Sequence, residues 1–169
     1  MFVSAASLRS KIPLNSKHDC SSQHVHNLLR SYYNLLGHKF ENLNLEEPTL
    51  EEVILHSEWA VISHGNGPDP LFNYGNKKAL SLFEVNLNEL KKIRSRNSAE
   101  LTLQSDREVF MQQVKANGFA TGYSGVRISA TGKRFEIKNV TVWNVTNEKG
   151  DPAGQAACFK DWNYIDLNN

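Results

Sequence analysis

Between residues 23 and 48 the apolar positions Val25, Leu28, Leu29, Tyr32, Leu35 and Leu36 recur three and four apart, the spacing of one helix face, and Gly37 supplies a stop. This pattern predicts an amphipathic helix whose apolar face must cover a sheet or a partner's helix. A polar linker, residues 41–48, leads to Thr49–His56, which reads as a short helix with Thr49 as N-cap and Glu52 completing a capping box. Ala60 to Ser63 is a short β-prone run ended by the turn signal His64-Gly65-Asn66-Gly67-Pro68, and Leu71 to Tyr74 returns as the second strand of a hairpin. Ala79, Leu80, Leu82 and Phe83 then form a helical face starting near Asn76, with a further turn or two of helix from Asn88 to Ile93. Ser105 to Glu108 reads as a second capping box, opening a helix that carries Val109, Phe110 and Val114 inward and closes at Asn117-Gly118.

From Gly118 onward the period changes to two. Phe119–Ser129, Arg134–Val145 and Ala153–Phe159 read as strands joined by turns at 130–133 and 147–150. Within the long strand Phe135 and Ile137 are odd-numbered while Val140 and Val142 are even, so one register cannot place all four inside. A β-bulge is expected near Lys138 to Val140. The resulting order is two strands, short helices, one longer helix and three strands. It predicts an α+β domain with a five-stranded antiparallel sheet behind an N-terminal amphipathic helix.

Composition narrows the classes. The 169 residues are 40% hydrophobic and 22% charged, ordinary for a globular domain with a sizeable core. A net charge of +1 offers no global field for nucleic acid or an anionic membrane, and no apolar run is long enough to span a bilayer. Cys20 and Cys158 follow no metal spacing, so a reducing compartment is the expectation. The sequons at Asn139 and Asn144 read as strand residues. Residues 1–18 hold Arg9, Lys11, Lys17 and four serines without an acid, which suits either a disordered overhang or an organelle transit peptide. The expected division is an N-terminal extension over 1–22, helix and linker over 23–48, the main domain over 49–162 and a tail over 163–169. The expected location is cytoplasmic, or an organelle if residues 1–18 act as a transit peptide.

Several stretches, in order, resemble one family. Ile54-Leu55-His56-Ser57, Asn73-Tyr74-Gly75-Asn76-Lys77-Lys78-Ala79-Leu80, Gly122-Tyr123-Ser124-Gly125-Val126-Arg127-Ile128-Ser129, Gly132-Lys133-Arg134-Phe135, Val142-Trp143-Asn144 and Gly154-Gln155-Ala156-Ala157 resemble the MEKHLA domain, a PAS-like family, over residues 23 to 160. The family's eponymous hexapeptide is not recognisable. No homeodomain, basic region or zipper accompanies the match, so it is the stand-alone versions that the chain resembles. The resemblance implies a PAS-like fold and a sensory or ligand-binding domain, not an enzyme, acting through protein–protein association. A constitutive interaction or dimerisation module without ligand is the alternative.

The matching residues also have plain structural readings. Asn73 and Asn76 flank a strand-to-helix turn where side-chain amides cap backbone groups. Gly122 and Gly125 let a strand bend or approach another backbone closely. Arg127 pairs, on this reading, with Glu136 of the neighbouring strand. Haem-binding PAS domains use a histidine of the middle helices, and light-sensing ones a cysteine there. All six histidines here (18, 24, 26, 38, 56 and 64) precede Asn73, and the middle section has no cysteine, so neither chemistry is expected. His24 and His26, two apart, would lie on different helix faces and make no metal pair. The cofactor is left unknown. Tyr74, Tyr123, Trp143, Gln155 and His64 are the candidate ligand-lining residues, with ordinary core packing as the competing reading. Leu28, Tyr32 and Leu35 are the candidate interface, through which a homodimer or an unknown protein partner would associate. Enzymatic signals are thin: no phosphate loop or nucleophile elbow is present, and a site built on His56, His64 and Asp69 is the weakest reading.

Overall fold

A computed structural model of the chain describes residues 19–100 and 104–166, with the backbone alone at 19–21, 104 and 105. Residues 1–18, the tail beyond 166 and the side chain of Ser105, hence the second expected capping box, lie outside the described residues. The elements in chain order are α1 (Asp19–Leu36), a 3-10 turn (Phe40–Asn42), α2 (Leu50–Leu55), β1 (Ala60–His64) and β2 (Phe72–Gly75). They continue with α3 (Lys77–Phe83), α4 (Leu87–Leu90), a 3-10 turn (Ser95–Ser98) and α5 (Gln104–Asn117). β3 (Phe119–Ile128), β4 (Arg134–Thr146), β5 (Pro152–Phe159) and β6 (Asp161–Tyr164) close the chain. Helix α1 thus begins before residue 23, and the sheet continues past residue 162.

One antiparallel sheet is ordered β2-β1-β5-β4-β3. The sixth strand was not expected. It pairs Phe135–Lys138 of β4, while β5 pairs Thr141–Thr146, so β5 and β6 together run along nearly the whole of β4. The expected bulge is present at Asn139, which sits in the left-handed region at φ 51°. The register between β3 and β4 shifts twice, around residues 121–122 and around Ser124 opposite 138–139. Gly122, at φ 85°, sits at the first of these shifts, in a conformation that a side chain would strain.

The sheet is covered on both faces. On one, Val25, Leu28, Leu29 and Tyr32 of α1 pack with Leu50 and Ile54 against Val61, Trp143, Val145 and Cys158. On the other, Ala79, Leu82, Phe83 and Leu90 of α3 and α4 pack with Ile62, Phe135, Ile137, Val140 and Phe159. Phe110 and Val114 of α5 join Ala120 on that second side. Val109, expected inward, is 58% exposed: positions 110 and 114 share a helix face that 109 cannot join.

The expected cap at Thr49 does not form. Its backbone (φ −100°, ψ 16°) is not the extended geometry of a cap, its hydroxyl donates to Glu47, and Glu52 turns to His56 instead. The capping box lies at α4, between Asn86 and Glu89. Asn76 caps α3 and does more than that. Its buried Oδ1 accepts from the Ala79 and Val61 amides, and its Nδ2 donates to the Ile54 and Trp59 carbonyls. One amide thereby ties α2, β1 and α3 together with every bond it can form.

Candidate ligand-binding site

Between the second sheet face and the helices lies a cavity of about 120 Å³. Its sheet wall comes from β1, β5, β4 and β3, where Ile62, Ile137, Val140 and Phe159 present apolar side chains. Phe83 of α3 and Phe110 and Met111 of α5 form the opposite wall. Polar groups line it as well: His64, Gln155, Tyr123 and Arg127 from the strands, Ser95 and Ser98 from the 3-10 turn, and Arg107 from α5.

Strand periodicity aims these side chains. Beyond the bulge Tyr123, Gly125 and Arg127 fall on one face, two residues apart. The Tyr123 ring lies over Gly125, where an added Cβ would sit 2.6 Å from the phenol oxygen. Gly125 therefore makes room for the tyrosine side chain, whereas the close neighbour expected there was another backbone. The ring also packs 4.9 Å from that of Phe110, joining α5 to the sheet. Gln155 donates from Nε2 to Asn144 Oδ1 at 3.1 Å, and His64 donates from Nδ1 to the Gly65 carbonyl at 2.8 Å.

Of the five residues expected to line a ligand, three do: Tyr123, Gln155 and His64. Tyr74 and Trp143 do not. Both belong to the α1 face, where the Trp143 indole N–H donates to the Leu28 carbonyl at 3.0 Å and its ring meets Tyr32 edge-on at 5.1 Å. The bulge explains this, because after the break at Asn139 position 143 faces away from 140 and 142. The Tyr74 hydroxyl is buried without a hydrogen-bond partner among the described residues, and burial pushes its pKa up.

Leu28 and Tyr32, expected as an intermolecular interface, are buried against the chain's own sheet, and Leu35 packs on the same cluster. An amphipathic face is satisfied equally by either partner, and here the sheet takes it. Arg127 does not meet Glu136. Register sets it opposite Phe135, and Glu136 pairs with Lys138 at 3.2 Å on the other side of the sheet. Asn73 caps no backbone group, its Oδ1 accepting instead from the Ser63 hydroxyl at 2.5 Å. His56, His64 and Asp69 bond to different partners: Glu52, the Gly65 carbonyl, and the pair Arg94 and Arg96. No shared acid–base site forms from them. Among the described residues no group of three His, Cys, Asp or Glu side chains could hold a metal.

Arg127, expected as a cross-strand partner, lines the cavity instead, together with Arg107, Ser95 and Phe110, none of which was expected there. Period two carried forward from Tyr123 would have placed Arg127 on the cavity. The other three depend on how the loop and α5 fold back, which no local pattern encodes.

An antiparallel sheet in the order β2-β1-β5-β4-β3, with short helices and one longer helix over one face and a cavity between, defines a PAS-like domain. Solved structures agree on the fold. A light-oxygen-voltage domain studied with a flavin analogue superposes with TM-score 0.53 at 11% identity, over 74% of this chain and 90% of that one. A PAS domain from Colwellia psychrerythraea gives 0.51 at 12% identity, over 68% and 92%. A PAS domain of a two-component sensor histidine kinase gives 0.50 at 12%, over 68% and 91%. The chain belongs to the MEKHLA domain family, whose model matches residues 22–164. No curated protein matches it. Among the described residues, no helix is long and apolar enough to cross a membrane.

Proposed function

We propose that this chain is a sensory domain that binds a small molecule in the cavity and reports its presence through α1 to a protein partner. The observation that carries the reading is the partly enclosed, mainly apolar space lined also by polar groups, at the interface of sheet and helices. Its volume is below the roughly 300 Å³ of drug-sized sites. The ligand is therefore small, and a flavin-sized ring system would require the helices to open.

Strand β1 gives the cavity a route to α1. Ile62, Ser63 and His64 all border the cavity, and the Ser63 hydroxyl is bonded to α1 and β2. The Ser63 hydroxyl accepts from His24 Nε2 of α1 at 2.9 Å and donates to Asn73 of β2. A ligand that shifts β1 would alter the seat of α1, provided it binds the two arrangements with different affinity. Partner association would use outward residues of α1 such as Tyr33, 42% exposed, because Leu28 and Tyr32 are occupied.

Native mass spectrometry of the purified full chain, with an absorption spectrum, tests the reading. A stoichiometric adduct released on denaturation is expected. A colourless protein at its sequence mass, with α1 amide exchange unchanged by any small molecule offered, would instead favour a constitutive interaction module with a filled core.

A further inference from the structure

Resting on the ligand-binding reading above, we propose that the cavity ligand is a small carboxylate with an apolar body, its carboxylate held by Arg127 with Arg107 at the mouth. Two guanidiniums line the cavity and no Asp or Glu does. Acids of the adjoining strands and loops are engaged elsewhere: Glu100 with Arg134 at 2.7 Å, Asp69 with Arg94 and Arg96, and Glu136 with Lys138. Among the described residues neither Arg127 nor Arg107 has an ion-pair partner, and the adjoining residues 101–105 contain no acid.

An arginine cannot shed its proton to escape such a place. Burial and, further, the neighbouring Arg107 charge both hold the Arg127 pKa below its usual range, while Tyr123 partly offsets them. A partly buried cation beside a second cation, with no counter-charge, costs the folded state free energy that an entering anion would return. A guanidinium fork matches a carboxylate with two parallel hydrogen bonds, and a neutral ligand cannot replace them. Next to these donors Tyr123 and the Gln155 amide supply further polar contacts, and Phe83, Phe110, Val140 and Phe159 take the apolar body.

Size bounds the ligand. At roughly 10–15 Å³ per water-sized site, 120 Å³ holds on the order of eight to twelve non-hydrogen atoms. Benzoate, phenylacetate and hexanoate fit that limit, and their primary amides have nearly the same shape without the charge.

The experiment titrates the full chain with these three acids and the three matching amides at low salt, read by saturation-transfer NMR and thermal shift. The acids are expected to bind about 10- to 100-fold more tightly than the amides, the margin of a charge-assisted hydrogen-bond pair. Arg127→Met should remove that margin by weakening the acids far more than the amides, and Arg107→Gln should reduce it in part. If Arg127→Met fails to fold by circular dichroism, the acid-to-amide ratio of the unsubstituted protein and the Arg107→Gln effect still decide. Amides binding as well as acids would overturn the anion assignment while the ligand-binding reading stood. Binding by neither overturns the assignment, and if native mass spectrometry also finds no adduct, the ligand-binding reading falls with it.

Discussion

Replacing Asn76 is the sharpest test of how this fold is held together. Its side chain is fully buried and makes four hydrogen bonds of 2.7–3.1 Å to main-chain groups of α2, the α2–β1 link, β1 and α3. In Asn76→Ala two N–H groups and two carbonyls lose their partner away from water. At about 1 kcal/mol or more per bond the loss is at least ~4 kcal/mol, close to the whole stability of a marginal domain. Urea unfolding followed by tryptophan fluorescence should show a lowered midpoint at unchanged slope, and the melting temperature should fall by about 8–16 °C. Asn76→Asp should be worse at neutral pH, because a carboxylate oxygen then faces the Ile54 and Trp59 carbonyls. A neutral carboxyl can donate to one of them, so the folded-state pKa of that aspartate lies above its unfolded value. Its penalty should therefore ease as pH falls. A loss below ~1 kcal/mol for Asn76→Ala, or an aspartate variant indifferent to pH, would refute the reasoning.

Trp143→Ala should cost about 3–5 kcal/mol by denaturant unfolding and speed amide exchange in α1, since it empties the α1 face and frees the Leu28 carbonyl. Glu84 accepts from the Ser129 and Thr131 hydroxyls beside Lys133, and these bonds, the two hydroxyls first, hold its carboxyl at about 2 against an ordinary 4.5. A depressed acid stabilises the fold above its unfolded pKa and loses that contribution as pH falls from 4.5 towards 2, so Glu84→Gln should flatten the melting-temperature profile in that window; parallel profiles would exclude the bond. Burial, aided by the Lys91 charge, lowers the His24 pKa from 6.5, so the folded protein holds fewer protons than the unfolded chain in that range. Stability should fall as pH drops below 6.5, with α1 exchange rising first, and His24→Gln should abolish the effect.

Much of this was legible in the residues because each inference rested on a local period. The spacing of Val25, Leu28, Leu29 and Tyr32 defined α1, but not what would cover it, since a helix stripe looks the same against a sheet or a partner. The odd-to-even switch between Ile137 and Val140 located the bulge, and Asn139 carries the positive φ there. The same switch, followed three residues further, would have sent Trp143 and Val145 to the α1 face. Treating a large aromatic residue as generically inward hid that step. β6 escaped because Asp161-Trp162-Asn163-Tyr164 is only four residues long, and its role depends on β4 having an unpaired half. Arg127 was assigned a cross-strand pair by type, when the register puts an aromatic residue opposite it.

The bulge is what allows one strand to serve two cores. Before Asn139, Phe135 and Ile137 face α3 and α4, whereas after it Trp143 and Val145 face α1. Val140 continues the cavity side in between. A regular β4 would keep odd positions on one face throughout, so either the cavity would lose Ile137 or α1 would lose Trp143. The break in β4 is accompanied in β3 by a separate one at Gly122, between the Ala120–Val142 and Tyr123–Val140 pairs, which sets the phase of Tyr123, Gly125 and Arg127. It also falls opposite the junction of β5 and β6, where Phe159 and Trp162 lie on the same side although their numbers differ in parity. The phase changes in the three strands lie within a few residues of one level, at separate steps of the ladder. The cavity wall straddles that level, with Ile137 and Val140 on either side of Asn139. The residues that bend the sheet and those that would meet a ligand are therefore the same short stretch of chain.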